Sequence, residues 1–361
     1  MVLNRLFWQN KKVLITGHTG FKGGWLSLWL QHLGAQVTGF SLAPPTEPNL
    51  FNKASIAENI NSIIGDIRDS EHLSRVLQKC QPDIVFHLAA QPLVRESYQD
   101  PVGTYTTNVI GSLNVLEAIR HCHSVRAAVI VSTDKCYENQ EWHWGYREND
   151  PVGGHDPYSS SKACMEILLA SYRKSYFQAA DPSLPAIASA RAGNVIGGGD
   201  WAKDRLIPDT LQAISHQQPI YLRYPNAIRP WQHVLEPLSG YLLLAEKLYN
   251  DGHAYAQSWN FGPPASSAKS VKWLVDYLLQ QTESKIELII DKESAPHEAH
   301  FLKLDFSKAN EQLDWQPRWD LATALDKVID WSMPGKHSAL SMQTLCIQQI
   351  DEYSDSKTLT L

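Results

Sequence analysis

Short β-branched runs alternate with amphipathic helical segments along the first half of this chain, from Val13 to Ala190. This alternation constrains the fold strongly, because parallel strands need a crossover between them and the crossover helices then cover both faces of the sheet. We expect strands at residues 13–16, 37–42, 60–64, 83–88, 127–132 and 186–190, and helices at 22–33, 72–80, 102–122 and 158–177. The pattern predicts an α/β fold with a Rossmann-type, doubly wound parallel sheet.

The second half of the chain is looser and richer in loops. A glycine-rich loop at 197–201 and a loop rich in proline and aromatic residues at 225–231 precede predicted helices at 235–249, 271–281 and 321–331. We therefore expect a larger domain over residues 1–192, its sheet completed by part of 230–262, and a smaller, mixed domain over 193–361. The polar residues from Met333 onward are expected to be peripheral.

Charge and cysteine content argue against several classes of partner. The chain has 32 Lys and Arg against 38 Asp and Glu, a formal net charge of −6, and no basic tract favours nucleic-acid binding. The 5 cysteines are odd in number and lack metal-ligand spacing, so we expect reduced thiols, no metal and a cytoplasmic location. The first ten residues contain no apolar signal segment and no apolar run could span a bilayer, so no membrane partner is expected.

Three glycines spaced three apart follow the first predicted strand and open the first helix. Glycine lets the backbone approach a pyrophosphate, whose charge the helix N-terminus stabilises. A plain tight turn is the alternative, but the strand–turn–helix context favours a dinucleotide site. The residues expected to bind the cofactor there are Gly17, His18, Thr19, Gly20, Phe21, Lys22 and Gly23.

The choice between NAD and NADP depends on the ends of the second and third strands. The second strand ends in Gly39-Phe40-Ser41, without the Asp or Glu that would bind a ribose 2′-hydroxyl. It also lacks an Arg for a 2′-phosphate, which favours NAD. Asp66 and Ile67 follow the third strand and are expected to contact adenine, with a solvated loop acid as the alternative.

A Tyr and a Lys lie four residues apart at the start of a helix, so they share one face. We expect the Lys162 ammonium to favour the phenolate of Tyr158 and to make it a usable base. The fifth strand ends in Thr133, Asp134 and Lys135, at the edge where parallel sheets bind ligands. The alternative to a catalytic set is a surface Tyr–Lys pair together with loop residues that have no function.

Four ordered motifs resemble the extended branch of the short-chain dehydrogenase/reductase family. They are Gly17-x-x-Gly20-x-x-Gly23, His87-Leu88-Ala89-Ala90-Gln91, Thr107-Asn108-Val109-Ile110-Gly111-Ser112 and Tyr158-x-x-x-Lys162. Ser132-Thr133-Asp134 resembles the Thr-Asp-Glu signature of the nucleotide-sugar 4,6-dehydratases, but Lys135 stands where most of them carry Glu. That departure, with segments 191–201 and 229–234, is similar to members acting on a CDP-linked hexose.

The resemblance implies a tightly bound NAD that is regenerated at each turnover and a catalytic set of Thr133, Asp134, Lys135, Tyr158 and Lys162. Tyr158 would be the base at the sugar 4-hydroxyl, Thr133 would bind the same oxygen, and Asp134 would be the acid at C6. Lys135 would take the C5 proton or stabilise the enolate. Further cofactor contacts are expected from Leu88, Ala89, Ala90 and Asn108.

The expected substrate is a small nucleotide sugar. The residues expected to bind it are Gln91, Arg95, Asn194, Arg205, Leu206, Tyr221, Arg223, Arg229 and Glu298. A forked guanidinium suits diphosphate oxygens, whereas a surface salt bridge or a helix cap is the alternative for Arg205 and Glu298. The family commonly pairs through helices at 102–122 and 158–177, which implies a homodimer or homotetramer with Tyr105 and Leu113 as candidates for the interface.

Three rival functions stay open. A nucleotide-sugar 4-epimerase shares Tyr158, Lys162 and NAD but needs neither the acid nor the base that Asp134 and Lys135 would supply. A dehydratase acting on another nucleotide hexose shares the whole mechanism. A non-catalytic dinucleotide sensor shares the fold but has no use for the Tyr–Lys pair.

Overall fold

The computed structural model describes residues 3–178, 181, 183–290, 302–333 and 340–359. The strands are β1 (Lys12–Thr16), β2 (Gln36–Ser41), β3 (Asn61–Ile64), β4 (Ile84–His87), β5 (Ala127–Val131), β6 (Ala186–Arg191), β7 (Val195–Ile196), β8 (Ile220–Leu222), β9 (Ile228–Pro230), β10 (Gln232–His233), β11 (Ser258–Asn260), β12 (Ala268–Ser270) and β13 (Leu288–Ile290). The helices are α1 (Arg5–Trp8), α2 (Phe21–His32), α3 (Leu50–Lys53), α4 (Ser70–Cys80), α5 (Val94–Gln99), α6 (Pro101–Tyr105), α7 (Ser112–Arg120), α8 (Pro157–Ser175), α9 (Leu206–His216), α10 (Leu235–Asp251), α11 (Val271–Gln281), α12 (Ser307–Leu313), α13 (Leu321–Ser332) and α14 (Met342–Asp355).

Seven strands form one parallel sheet in the order β11-β6-β5-β4-β1-β2-β3. The strand order reverses between β1 and β4, and a ligand crevice opens at the carboxyl ends of strands at such a point. The predicted doubly wound α/β fold is therefore confirmed. Three two-stranded sheets pair β10 with β7, β12 with β9 and β13 with β8.

The central sheet separates two apolar cores because successive side chains of a strand point to opposite faces. Leu14 of β1 packs with α4, α7 and α8, whereas Val13 and Ile15 pack with α2, α10 and α14. Both faces of the sheet are covered, as the near-continuous apolar strands predict. No helix in the described ranges is long and apolar enough to cross a membrane.

The helix predicted at 102–122 is interrupted in the structure. It begins as α6, passes through a π-helical turn at Thr106–Gly111, and continues as α7. Each π turn adds a residue to the helical repeat, and such turns frequently mark functional sites. Asn108, a predicted cofactor contact, lies inside this turn and is buried.

The expectation that residues beyond Met333 are peripheral is wrong for α14. Leu345, Cys346, Ile350 and Tyr353 are buried, and α14 packs against the face of the sheet that α2 covers. The Tyr353 hydroxyl donates a hydrogen bond of 2.7 Å to Glu236 of α10. These apolar positions recur at helical spacing, but the Gln, Asp and Glu residues between them give the segment a polar average.

We expect Tyr353→Phe to lower the free energy of unfolding by about 1–3 kcal/mol, because it removes one hydrogen bond from a buried carboxyl group. Denaturant unfolding of the variant and the parent protein measures this difference. Tyr176→Phe is a matched control, since the Tyr176 ring is about half exposed at 46% and should change stability little. Equal losses in the two variants would show that the Tyr353–Glu236 bond does not hold α14 in place.

Candidate active site

The loop between β1 and α2 has the backbone that a dinucleotide phosphate site needs. Gly17 has a φ of +81°, and a Cβ there would lie 2.7 Å from the Ala89 nitrogen. A Cβ at Gly23 would lie 2.0 Å from the Gly17 carbonyl oxygen, so this close approach excludes a side chain. Gly20 is the N-cap of α2 and supplies no side-chain cap, which leaves the first-turn amides facing the crevice edge.

The remainder of the loop is anchored to the ends of β2 and β3. His18 is buried, its Nε2 lies 2.7 Å from Ser62 Oγ, and burial lowers its pKa to about 4. Gly39 makes room for that ring, because a Cβ there would lie 2.3 Å from it. The Thr19 hydroxyl donates to the Leu42 carbonyl at 2.9 Å. His18 and Thr19 thus shape the loop through contacts within the protein.

The two predicted adenine contacts differ in their surroundings. Asp66 is paired with Arg68 at 2.6 Å, and hydrogen bonding to that guanidinium lowers the pKa of Asp66. Ile67 is buried against Gly111 of the π-helical turn. Only Asp66 is exposed enough to meet a ligand by its side chain.

A chain of hydrogen bonds crosses the crevice floor from β1 to α8. His87 lies 2.7 Å from Thr16 Oγ1 and 2.9 Å from Ser112 Oγ. The Asn108 side chain accepts a hydrogen bond at Oδ1 from the backbone nitrogen of Gln91 at 2.8 Å. Its Nδ2 donates to Ser161 Oγ at 2.9 Å. Both ends of the Asn108 side chain are therefore engaged within the protein, which indicates that Asn108 positions the loop after β4.

The other residues after β4 that we predicted to bind ligands lie along the same loop. Leu88 and Ala89 are half-buried next to the glycine loop, and the Ala89 nitrogen donates to Thr16 Oγ1 at 3.3 Å. Ala90 is half-buried beside them. The Gln91 side chain donates to Leu93 and Thr104. The Gln91 side-chain nitrogen can therefore bind a substrate only if it gives up its hydrogen bonds to Leu93 and Thr104.

The turn after β5, residues 133–135, places the predicted acid in a buried position. Thr133 Oγ1 donates to Asp134 Oδ1 at 3.0 Å and accepts from the Lys135 nitrogen at 3.3 Å. Asp134 is 2% exposed, and a Cβ on Gly193 would lie 1.8 Å from its Oδ2. Burial raises the pKa of Asp134 against the opposing effects of Lys135, Thr133, Arg229 and Lys22. A carboxyl group in this setting holds a proton more readily than a solvated one.

Tyr158 and Lys162 lie one turn apart on α8, whose start is fixed by the N-cap Asp156 and by Pro157. The net shift of the Tyr158 pKa is opposite to the lowering that we expected from Lys162. Burial instead raises the pKa of Tyr158 to about 12, against smaller opposing effects of Thr133 and Arg205. The Lys162 ammonium donates to the Val131 carbonyl at 3.2 Å, and burial lowers its pKa to about 8.

Lys22 of the glycine loop lies close enough to the turn after β5 (residues 133–135, the catalytic turn) for the charge of Asp134 to affect its pKa. Burial lowers its pKa to about 8, with Arg205 and Lys162 acting in the same sense and Asp134 and Asp200 opposing. These groups therefore share one crevice. We predicted Lys22 only as a cofactor contact, because its spacing in the motif says nothing about which carboxylates it faces. Phe21, the residue before it, packs against Gly197.

Three of the predicted substrate-binding arginines converge on two aspartates. Arg205 pairs with Asp200 at 2.6 Å, and Arg95 pairs with Asp204 at 2.7 Å. Arg223 lies 3.8 Å from the same Asp204. Arginines from three segments thus form a basic rim whose three positive charges are offset in part by two aspartates.

The remaining predicted substrate contacts are spread over the C-terminal part. Arg229 is buried, and it lies close enough to Asp134 to lower the pKa of that carboxyl group. Asn194, next to Gly193, has a φ of +34°. Leu206 begins α9, while Tyr221 on β8 is 64% exposed. Glu298 lies outside the described residues.

Several residues that contact the predicted site residues were not predicted from the sequence. Gly193, Asp200 and Asp204 were not proposed, although the glycines and acids of the 193–204 segment mark a loop next to the sixth strand. Periodicity identifies such loops but does not specify which side chains they bring together.

The chain is similar to known proteins along most of its length. The family described as GDP-mannose 4,6 dehydratase matches residues 14–328. The chain is 51% identical over 332 residues to the CDP-glucose 4,6-dehydratase of Salmonella typhimurium, which covers 91% of this chain and 92% of that protein.

Two solved structures show the same fold at low identity. One is the UDP-glucose-4-epimerase of Stenotrophomonas maltophila with bound NAD, with a TM-score of 0.79, 22% identity, and coverage of 91% of this chain and 100% of that one. The other is a double mutant of the dTDP-glucose 4,6-dehydratase of Streptomyces venezuelae with NAD bound, with a TM-score of 0.75, 22% identity, and coverage of 90% and 97%. The family match spans most of the chain, which therefore belongs to the GDP-mannose 4,6 dehydratase family.

Proposed function

We propose that this protein is a CDP-glucose 4,6-dehydratase that converts CDP-D-glucose to CDP-4-keto-6-deoxy-D-glucose and water. The observation that carries the proposal is the buried Asp134 carboxyl group, which lies against Gly193 and is hydrogen-bonded by Thr133. A carboxyl group whose pKa is raised by burial, next to the Tyr–Lys pair, suits the loss of a hydroxyl group. The 51% identity to a CDP-glucose 4,6-dehydratase supports the same reaction and nucleotide.

NAD fits the crevice, because the glycine loop leaves no space for side chains and the start of α2 has no side-chain cap. When bound, NAD supplies reversible hydride transfer, so the reaction needs no net oxidant. The backbone of residues 17–23 would hold its diphosphate, and Lys162 would hold its ribose on the side of Tyr158.

Tyr158 and Thr133 act first on the sugar. Tyr158 takes the proton of the 4-hydroxyl group while Thr133 hydrogen-bonds the same oxygen, and the C4 hydrogen would leave as hydride to the nicotinamide that bound NAD supplies. Burial raises the pKa of Tyr158 to about 12, so the phenol releases its own proton only when positive charge offsets that burial. Arg205 already acts in this sense, and the half-buried Lys22 lies in the same crevice.

Asp134 and Lys135 act on the resulting 4-keto sugar, whose C5 hydrogen the carbonyl group acidifies. Asp134 gives its proton to the departing 6-hydroxyl group, which leaves as water. Lys135 is half-buried beside it and takes the C5 proton, or stabilises the enolate while another group takes that proton. The C5–C6 double bond formed by elimination then accepts hydride at C6 and a proton at C5, which gives the 4-keto-6-deoxy sugar.

The basic rim supplies recognition of the nucleoside diphosphate. Arg95, Arg205 and Arg223 present guanidinium groups to one region, and diphosphate oxygens suit their forked geometry. Asp200 and Asp204 hold these side chains in place before the substrate binds. Binding of the diphosphate would exchange carboxylate partners for phosphate oxygens.

A nucleotide-sugar 4-epimerase is the second candidate, because an epimerase and a dehydratase share this fold at the same 22% identity. The fold therefore does not distinguish the two reactions. The turn after β5 favours the dehydratase, because an epimerase has no use for a buried acid such as Asp134 next to Lys135.

Purified protein incubated with CDP-glucose should yield a product lighter by one water, without stoichiometric release of NADH, as read by mass spectrometry and absorbance. Parallel reactions with dTDP-, UDP- and GDP-linked hexoses test the nucleotide. Water loss from only one of those would keep the reaction and change the substrate. A new hexose isomer of unchanged mass would make the protein an epimerase.

Lys135→Ala and Asp134→Asn should separate oxidation from elimination. In both variants we expect reduced nicotinamide to accumulate on the enzyme, seen by its absorbance, while product formation falls about 100-fold or more because an acid or base is missing. The residual turnover of Asp134→Asn should depend less on pH than that of the parent protein. The parent needs Asp134 protonated and loses activity as the pH rises through the raised pKa of that group. Unchanged turnover in Lys135→Ala would remove that residue from the mechanism.

We also propose that the protein pairs through the outward faces of α6, α7 and α8. Val102 on α6, Ile110 in the π-helical turn that joins α6 to α7, and Ile167 on α8 are exposed at 75%, 47% and 58%. Exposed apolar side chains on neighbouring elements mark surfaces that another protein covers, and a second copy presents the same side chains.

Ile110→Asp should shift the protein from dimer to monomer in sedimentation at micromolar concentration, because it places a charge among these exposed apolar side chains. Leu6→Asp, at an 81% exposed position on α1, is the matched control and should leave the oligomer unchanged. A parent protein that is already monomeric would contradict the proposed pairing.

A further inference from the structure

A buried ion pair behind the reacting groups joins several elements of the active site. The side chains of Arg191 and Glu166 are only 4% and 2% exposed. Arg191 donates through Nε at 2.9 Å and Nη2 at 2.8 Å to the two Glu166 oxygens, which is the forked geometry of a strong pair. Ser189 donates to the same carboxylate at 2.8 Å and Ser258 at 3.3 Å. Glu166 on α8 is thus bonded to both β6 and β11.

The other side of Arg191 holds the end of the catalytic turn. Its Nη1 donates to the Tyr137 hydroxyl at 2.7 Å and to the Glu148 carbonyl at 3.2 Å. The Tyr137 hydroxyl in turn donates to Asn260 Oδ1 at 2.8 Å. Tyr137 follows Lys135 by two residues, so this contact limits movement of the turn that carries Asp134.

The same two residues lie next to the reacting groups along the chain. Glu166 is one helical turn beyond Lys162 and two turns beyond Tyr158, so all three lie on one face of α8. Arg191 precedes Gly193 by two residues, and Gly193 is the residue against which Asp134 packs. Displacement of either partner would therefore be transmitted to the catalytic helix or to the acid.

We propose that Glu166 and Arg191 are positioning residues, which fix Tyr158 and Lys162 on α8 relative to Asp134 on the turn after β5. This proposal rests on the function proposed above. A well-packed apolar pair of similar volume would avoid the cost of desolvating two charges. The contribution of the ion pair to this site therefore lies in its directional geometry and in the negative charge that it places near Lys162.

That charge acts on Lys162. Lys162 faces Glu166 and Cys136 on one side, and it is close enough to Lys22 and His87 to lower the pKa of each. Burial lowers the pKa of Lys162 to about 8, and Glu166 is the largest opposing influence. Without the carboxylate the pKa of Lys162 would fall further, and the ammonium group would be lost at a lower pH.

The test is the pH dependence of turnover in Glu166→Gln. We expect turnover of CDP-glucose to fall about 100-fold, because misplacement of reacting groups by about 1 Å has an effect of that size. We also expect the alkaline limb of C4 oxidation, read as reduced nicotinamide and independent of the acid Asp134, to move to lower pH by roughly one unit, because a neighbouring opposite charge shifts a pKa by about that much. Glu246→Gln is the matched control: Glu246 is buried, accepts from Trp8 at 2.6 Å, and has no contact with the site.

A second measurement does not need the substrate. The Lys162 signal of lysine-labelled protein, assigned with Lys162→Met, should titrate at a lower pH in Glu166→Gln than in the parent by NMR. If the parent converts no nucleotide sugar, the proposed function fails while this measurement still tests the positioning pair. An unshifted Lys162 titration and an unshifted alkaline limb would overturn the proposal, even if turnover falls.

Removal of one partner from a buried pair is destabilising, so Glu166→Gln could fail to fold. The double variant Glu166→Met/Arg191→Met removes both charges together and avoids a lone buried ion. It should remain folded, lose turnover about as strongly, and show the same shift of the alkaline limb. A folded double variant with parental turnover would also overturn the proposal.

Discussion

The parallel pairing of β4 with β1 is the constraint on which the rest of the molecule depends. At this pair the strand order reverses, so the loops after β1 and β4 diverge and leave a crevice between them. The glycine loop can enter that crevice only because Gly17 and Gly23 lack side chains. Every group that the proposed reaction uses is carried to this edge by the end of a strand or the start of a helix.

Burial of charge distinguishes this crevice from an ordinary loop cluster. Asp134, Lys162 and Tyr158 all lie at positions where desolvation shifts their pKa toward the neutral form. A carboxyl group that holds its proton more readily than in water and an ammonium group that releases its proton more readily both suit proton transfer near neutral pH. Glu166 is the exception, because Arg191 and the surrounding hydroxyl groups outweigh burial and lower its pKa to about 2.

The sequence predicted the central sheet closely because its signals are local. The strands around Val13 and Ala127 differ from their predicted bounds by one residue. The helix Val271–Gln281, which lies outside the sheet, was predicted at the bounds that the structure shows. The π-helical turn at Thr106–Gly111 was missed because helical periodicity does not register a single extra residue. The helix α14 was missed because its polar residues mask four buried apolar ones.

The site was predicted in its residue types and only partly in its contacts. Tyr158, Lys162 and Asp134 come together as their positions after strands imply. The burial that raises the pKa of Tyr158 was not predicted, since burial depends on packing from distant segments. Glu166 carried a signal that was not used: it continues the four-residue spacing of Tyr158 and Lys162 on a buried helix face.

The packing of α14 on α2 has a consequence for how the chain reaches its native state. Trp29 of α2 and Tyr353 of α14 contact edge to face at 5.7 Å between ring centroids, although they come from opposite ends of the described chain. On the ribosome, the helix that opens the cofactor loop would emerge early and remain without its cover until α14 had been synthesised. The crevice would then gain its final rigidity late, as a property of the whole chain rather than of its N-terminal half.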